Sequence, residues 1–410
     1  MKSLMAGLLL WSAVGAQAQA VAAAPSHDAP PLHGAGPSSV DAGDYIYVSG
    51  QGPRSADGAL PSTFAARVRQ ALVNLKSVVE ATGLTMDHVV YTTVYLTDMS
   101  QYGEMNRVFG EFFGKVPPAR AVLGVAGLPD PPIEINAVAV RNLSERRAVY
   151  PPNYKSDEPF SPGILTRDRL FISGLPGILP PGEKVSDPQA AQVDIALDRM
   201  KAIVEAAGLD LSHMVFVNPY LTAQIPMRVM NQHYASRFEF GNTPARATIE
   251  VSSLPNGAQI EYTGVAVRDL EQRRAVRPKN MPPSPTASPC VFAGDTLYCS
   301  AKSGFIPGPN GGVYTSTTAV QLRQTMRNLL DNLEEADMAF CQIVSTNLYL
   351  DDMADMRAFD EVYVKYFRGA LPARTVVQQI APVERSPDKD GHYPDLEQVS
   401  LIAVRRACPQ

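Results

Sequence analysis

Two pairs of charged residues stand where charge is expensive. Arg120 closes the triplet Pro118-Ala119-Arg120 and is followed by Glu134, near the start of the apolar run Ile133 to Val140. Arg246 closes Pro244-Ala245-Arg246 and is followed by Glu261 in Ile260 to Val267. A carboxylate opening an apolar strand is costly to bury unless it is paired or used. A nearby guanidinium is a planar fork that suits a carboxylate, whether of the chain or of a small ligand. Two readings follow: a structural Arg–Glu pair at an interface, or a small-acid site. In the second, Arg holds the ligand carboxylate while Glu positions water or moves a proton. No dinucleotide fingerprint, phosphate loop, His-Glu-x-x-His or Gly-x-Ser-x-Gly occurs in a confirming context. His88 and His213 fall at matching polar turns and read as surface or capping groups. Cys290, Cys299, Cys341 and Cys408 match no zinc spacing. They permit three disulfide pairings or four free thiols, and sequence does not choose.

The elements that must position these residues recur. Tyr45-Ile46-Tyr47-Val48-Ser49-Gly50, Leu170-Phe171-Ile172-Ser173-Gly174 and Leu297-Tyr298-Cys299-Ser300 are three versions of one strand, and their serines lie 124 and 127 residues apart. A helical stripe follows each: Val68, Leu72, Leu75 and Val79, then Val193, Leu197, Met200 and Val204, then Leu322, Met326, Leu329 and Leu333. Gly83 and Gly208 stop the first two helices, and Asp337 takes that place in the third. A β-rich run, a second helix, a Pro-Ala-Arg triplet and a closing strand complete each copy. Both helices have one apolar side, so they should cover one face of a mixed or antiparallel sheet. The other face, apolar in Tyr45-Ile46-Tyr47-Val48, needs a partner, and three copies can supply it by closing into an intramolecular pseudo-trimer.

Composition agrees with a folded chain. Apolar residues make up 45% and charged residues 19% of 410, and a formal net charge of −5 with no basic block argues against a nucleic-acid partner. Met1-Lys2-Ser3, an apolar run to Val14 and the exits Ala16-Gln17-Ala18 and Ala18-Gln19-Ala20 have the three parts of a secretory signal. The expected organisation is a signal peptide over 1–20, a flexible leader over 21–40, and repeats over 41–145, 155–270 and 286–408. Arg141–Glu158 and Arg268–Thr286 join the repeats, and Pro382–Asp395 is a solvated insertion of the third. The chain is expected to be exported, periplasmic or secreted, with no membrane segment after cleavage.

These stretches carry a resemblance. Tyr47-Val48-Ser49-Gly50-Gln51, Val94-Tyr95-Leu96-Thr97-Asp98-Met99, Pro117-Pro118-Ala119-Arg120 and Ile133-Glu134-Ile135-Asn136-Ala137-Val138-Ala139 are similar to the Rid/YjgF family, the imine/enamine deaminases once called L-PSP endoribonucleases. The resemblance implies an α+β fold of three tandem chorismate-mutase-like repeats with clefts between neighbours. It also implies hydrolysis of small 2-imino or enamino acids to 2-oxo acids and ammonia, with no metal or organic cofactor and a small carboxylate-bearing imine or enamine as partner. By motif, Glu134 and Glu261 would activate water, and Arg120, Arg246 and Arg374 would bind the carboxylate. Ser49, Ser173 and Ser300 would line the clefts with an aromatic residue thirteen positions earlier, which is Phe160 in repeat two. Gly36 and Ala287 take the aromatic place in the other repeats, and Leu175 replaces the usual Gln. Counting back from Arg405, as from Arg141 and Arg268, puts Gln398 where a third Glu should be. Gln takes no proton from water, so that site is expected to be degenerate. Glu397, beside it, points to the opposite strand face. The alternative is a non-catalytic small-carboxylate-binding or scaffold module with degenerate sites. Either way the expected unit is an intramolecular pseudo-trimer that can stand as a monomer, and sequence does not decide whether it assembles further.

Overall fold

The computed structural model describes residues 36–308, 312–367, 369 and 371–408. Repeat one contains β1 (Ser39–Asp41), β2 (Tyr45–Gln51), α1 (Phe64–Ala81), β3 (Val89–Leu96), α2 (Tyr102–Phe109), β4 (Ala119–Gly124) and β5 (Ile133–Val140). The second sheet and its helices comprise β6 (Arg147–Val149), β7 (Gly163–Leu165), β8 (Arg169–Pro176), α3 (Pro188–Ala206), β9 (Met214–Leu221), α4 (Met227–Ala235), β10 (Ala245–Arg246), β11 (Ile249–Glu250) and β12 (Ile260–Val267). The third comprises β13 (Arg273–Val276), β14 (Cys290–Ala293), β15 (Thr296–Ser303), α5 (Thr318–Glu335), β16 (Ile343–Leu350), α6 (Met356–Tyr363), β17 (Ala373–Gln378) and β18 (Glu397–Val404). The sheet orders are β1-β2-β5-β3-β4, β10-β9-β12-β8-β7-β6 with β11 also on β9, and β13-β14-β15-β18-β16-β17. In each sheet the strand bearing the Pro-Ala-Arg arginine runs parallel to its neighbour, as does β11 on β9 in the second, and the other described pairings are antiparallel.

The expected chorismate-mutase-like architecture is corrected by these sheets. The repeats are mixed β-sheet and helix units typical of the family named above, not a chorismate-mutase-like helical bundle. The reason lies in runs such as Val89–Leu96 and Ile260–Val267. These runs are short, β-branched and aromatic, buried on both faces, and satisfied by ladder hydrogen bonds rather than helical ones. Part of each joining segment is strand: β6 and β13 edge the sheets that follow them. The expected signal over 1–20 and the leader as far as residue 35 lie outside the described residues, while Ser39 and Val40 belong to β1. Among the described residues no helix is long and apolar enough to cross a membrane.

Local signals explain the helices. Thr63 caps α1 by accepting from the Ala66 N–H, Asp187 caps α3 by accepting from that of Ala190, and the three apolar stripes are buried against their sheets. Gly83 and Gly208 both take a left-handed φ of +80°, and Asp337 takes +55°, as a chain leaving a helix requires. Disulfides join Cys290 to Cys299 across β14 and β15, and Cys341 to Cys408. The insertion is not wholly solvated: Arg385 pairs with buried Asp351 at 2.8 Å and also with Asp355.

The sheet faces turned away from the helices pack on one another. One shared core joins Tyr45, Tyr47 and Val90 to Phe171, Val215 and Phe216 and to Val291, Tyr298 and Val344. A second gathers Tyr95, Tyr220 and Tyr349, one from each repeat. The contacts run in a ring, β4 to β8, β10 to β15 and β17 to β2. On its axis the ring is deliberately unlike a trimer of identical chains. Tyr45, Arg169 and Thr296 are corresponding residues, and Arg169 donates to Tyr298 Oη at 3.0 Å and to Thr296 Oγ1 at 2.6 Å. Its guanidinium stacks 4.4 Å from the Tyr45 ring, and its Nε lies 3.2 Å from Asp168. Three arginines could not meet there, because like charges repel strongly when desolvated. Arg169→Met should therefore cost roughly 2–4 kcal/mol by stranding these partners, measured as a lower urea midpoint. A change below about 0.5 kcal/mol would remove this arginine as the pin of the ring.

Candidate functional site

Each seam is stitched by the same two hydrogen bonds. The backbone N–H of the Pro-Ala-Arg arginine donates to the serine hydroxyl of the next repeat: Arg120 to Ser173 at 2.7 Å, Arg246 to Ser300 at 2.8 Å and Arg374 to Ser49 at 3.0 Å. Each hydroxyl in turn donates at 2.6 Å to a carbonyl twelve residues earlier, on Ser161, Ser288 and Pro37. The serine proton is thus committed to the fold. The grouping by repeat also changes. Phe160, Ser173 and Glu261 face Arg120 of repeat one, while Arg246 faces repeat three and Arg374 faces repeat one.

The seam between repeats one and two holds a complete set. Arg120 is 2% exposed, with its guanidinium 4.7 Å from the Phe109 ring and 5.0 Å from the Phe160 ring. A cleft there is lined by Tyr102, Arg120, Glu158, Phe160 and Glu261, among others. Arg120 Nη1 and Nη2, Glu261 Oε1 and Asn106 Oδ1 are buried without a hydrogen-bond partner. Unused donors of a buried cation facing an unused carboxyl oxygen leave a demand that the chain itself does not meet. Burial pushes the Glu261 carboxyl up to about 8, against the pull of Arg120. Sequence reasoning passed over Glu158, Tyr102 and Asn106. The available signal was Asp157-Glu158-Pro159-Phe160, an acidic pair just before the aromatic residue already singled out.

The other seams lack parts. Between repeats three and one, Arg374 donates from Nη1 and Nη2 to the two oxygens of Asp360, at 2.6 and 3.1 Å. This bidentate bond spends the fork within the chain. Glu134 is buried there too, its carboxyl pushed up to about 8 by desolvation against a Val376 N–H and the Arg374 charge. Gly36 offers no ring, and an added Cβ would lie 3.9 Å from Arg374 Cδ. Between repeats two and three, Arg246 Nη1 donates to Asn231 Oδ1 at 2.7 Å. Gln398 donates to Gln379 Oε1 at 2.6 Å and to the Thr248 carbonyl at 3.3 Å, and Ala287 supplies no ring. Glu397 lies on the opposite face, buried and hydrogen-bonded by Thr325.

A glycine goes with each acid. A Cβ built on Gly50 would fall 1.9 Å from Glu134 Oε1, and one on Gly174 would fall 2.3 Å from Glu261 Oε1. The residue corresponding to these glycines in repeat three is Ala301, in the repeat where Gln398 takes the place of the acid. His88 and His213 accept from the backbone N–H groups of Thr85 and Asp210 and cap short turns. Among the described residues no group of three or more His, Cys, Asp or Glu could hold a metal ion.

A family model described as Endoribonuclease L-PSP matches residues 28–141, 152–268 and 280–384. The chain is 42% identical over 107 residues to a 2-iminobutanoate/2-iminopropanoate deaminase of Escherichia coli K12, covering 25% of this chain and 84% of that protein. It is 36% identical over 106 residues to a RutC family protein of Pyrococcus horikoshii, covering 25% and 83%. A solved chorismatase structure, 13% identical, covers 78% of this chain and 94% of its own with a TM-score of 0.51, a likeness of fold alone.

The raised Glu261 carboxyl fixes a sign for stability. The folded state keeps its proton up to about pH 8 while the unfolded chain releases it near 4.5, so stability falls as pH rises across that window and levels off above it. Glu261→Gln should remove this loss. The variant should gain on the order of 4 kcal/mol over the parent at pH 9 and little at pH 4.5, read from denaturant midpoints at both pH values. Equal gains at the two would contradict a desolvated carboxyl.

Proposed function

The chain belongs to the Endoribonuclease L-PSP family, and from that premise we propose that it hydrolyses small 2-imino or enamino acids to 2-oxo acids and ammonia at the seam between repeats one and two. Family membership supports hydrolase and deaminase chemistry in general. The observation that carries the finer reading is the pair of unsatisfied donors on buried Arg120 across from the unsatisfied oxygen of Glu261.

In this reading the substrate carboxylate accepts from Nη1 and Nη2 of Arg120, and Phe109 and Phe160 shield the fork from water. Glu261 takes a proton from water as its oxygen attacks the imine carbon and the C=N electrons move to nitrogen. Glu261 returns that proton to the nitrogen, giving the carbinolamine. It then takes the hydroxyl proton as the 2-oxo group forms and passes it to the nitrogen as the C–N bond breaks, so ammonia leaves with both protons of the water. A carboxyl titrating near working pH suits a group that must both take and give a proton. Ser173 acts by position, holding the segment of Phe160 beside Arg120. The binding or scaffold reading fits the other two seams, where Asp360 occupies Arg374 and Gln398 replaces the acid.

With freshly generated 2-iminopropanoate as substrate and pyruvate release as readout, Glu261→Gln should lower the rate by about 10²-fold or more. Glu134→Gln should leave it within about twofold, because Asp360 takes both Nη groups of Arg374 in its seam. Gln398→Glu should add nothing, since Ala301 stands where a glycine accommodates the acid in the other repeats. Equal losses from Glu134→Gln and Glu261→Gln would refute the single-seam assignment.

A further inference from the structure

Glu158 belongs to the segment joining repeats one and two, and no step above uses it. Its Oε2 accepts from Tyr102 Oη at 2.5 Å, and the same oxygen lies 4.0 Å from Arg120 Nη2. That separation is too long for a hydrogen bond, so Glu158 leaves the arginine donors free while placing a carboxylate at the mouth of the cleft, its side chain 30% exposed. The segment is held there. Ser161 N donates to the Pro118 carbonyl at 3.0 Å, its Oγ donates to that of Pro117 at 2.7 Å, and Phe160 N donates to the Glu158 carbonyl at 2.8 Å. Pro159 packs so closely on Gly110 that an added Cβ would meet it at 3.3 Å.

Among the described residues lining this cleft the charges are unequal: one cation, Arg120, and two carboxyl groups, Glu158 and Glu261. One substrate carboxylate satisfies the arginine. A second, carried two or three carbons away, would meet the carboxylate of Glu158, with no cation to receive it, in a site where desolvation strengthens repulsion. Repeat three has no acid at the corresponding position, which is Pro285.

We propose that Glu158 sets the substrate class of the seam between repeats one and two, admitting imino acids with a single carboxylate and an uncharged or cationic side chain and rejecting dicarboxylates. The proposal rests on the hydrolytic reading above, and its test separates the two. kcat/KM is measured for 2-iminobutanoate and for 2-iminosuccinate, each with four carbons, in the parent and in Glu158→Gln. In parallel, calorimetry measures the affinity of both proteins for 2-oxobutanoate and oxaloacetate, which requires no turnover.

The parent should favour the monocarboxylate by about 30-fold or more in both readouts, and Glu158→Gln should reduce that preference to about fivefold or less. Because Gln keeps the shape and its amide can still accept from Tyr102, a collapse of the ratio reports charge rather than loss of fold. A parent that binds both oxo acids equally, or a ratio unmoved by Glu158→Gln, overturns the proposal. Should neither imine be turned over while the binding ratio behaves as described, the catalytic reading fails and the charge filter stands.

Discussion

Three buried serine hydroxyls hold this molecule in its shape. Each accepts the N–H of an arginine in one repeat and passes its own proton to a carbonyl on the segment that leads into the next. Losing such a hydroxyl would strand two buried backbone groups at once, each costly without a partner. The same stitch explains why the cleft aromatic lies thirteen residues before the serine. The carbonyl that takes the serine proton is twelve residues before it, so the preceding side chain is laid over the neighbouring arginine. At Ser173 that residue is Phe160, and its ring meets Arg120. Positioning and closure are one interaction.

Covalent fusion then lets the three seams differ. A ring of identical chains must repeat every residue three times, which forbids a lone arginine on the axis. Here Arg169 sits there with Tyr45, Thr296 and Tyr298 around it, so the order of the repeats is written into the core. The same freedom reaches the clefts. The corresponding residues of the second helices are Asn106, Asn231 and Asp360. The first leaves its arginine open, the second takes one donor, and the third takes the whole fork.

Much of the architecture was legible because it is periodic. The stripes Val68-Leu72-Leu75-Val79 and their counterparts could only be helices against a sheet, and a strand apolar on both sides, such as Tyr45-Ile46-Tyr47-Val48, had to meet another. The chorismate-mutase-like label came from the resemblance rather than from that patterning, and the mixed sheets replace it. Periodicity says which face a residue takes and not which neighbour it finds. Arg246 and Glu261 therefore read as partners by sequence, while the ring pairs Glu261 with Arg120. Glu158 was hidden for a related reason, since it lies in a polar, proline-rich joining segment where an acid looks merely solvated. Glu397 was readable because strand alternation is strict, and it points into its own repeat.

The divergence of the seam between repeats two and three goes beyond one lost acid. β10 and β11 are interrupted around Thr248, and the carbonyl freed there accepts from Gln398, whose amide also donates to Gln379. A carboxylate has no proton to give to either oxygen, so the surroundings of Gln398 call for a donor, whereas Glu134 accepts from the Val376 N–H in its own seam. Ala301 adds a methyl group at the bulge where Gly50 and Gly174 leave room for Glu134 and Glu261. The amide, the broken strand and the alanine are therefore mutually consistent as a closed structural seam. Glu261, by contrast, keeps a buried oxygen that no described residue satisfies, in the same cleft as the unused donors of Arg120.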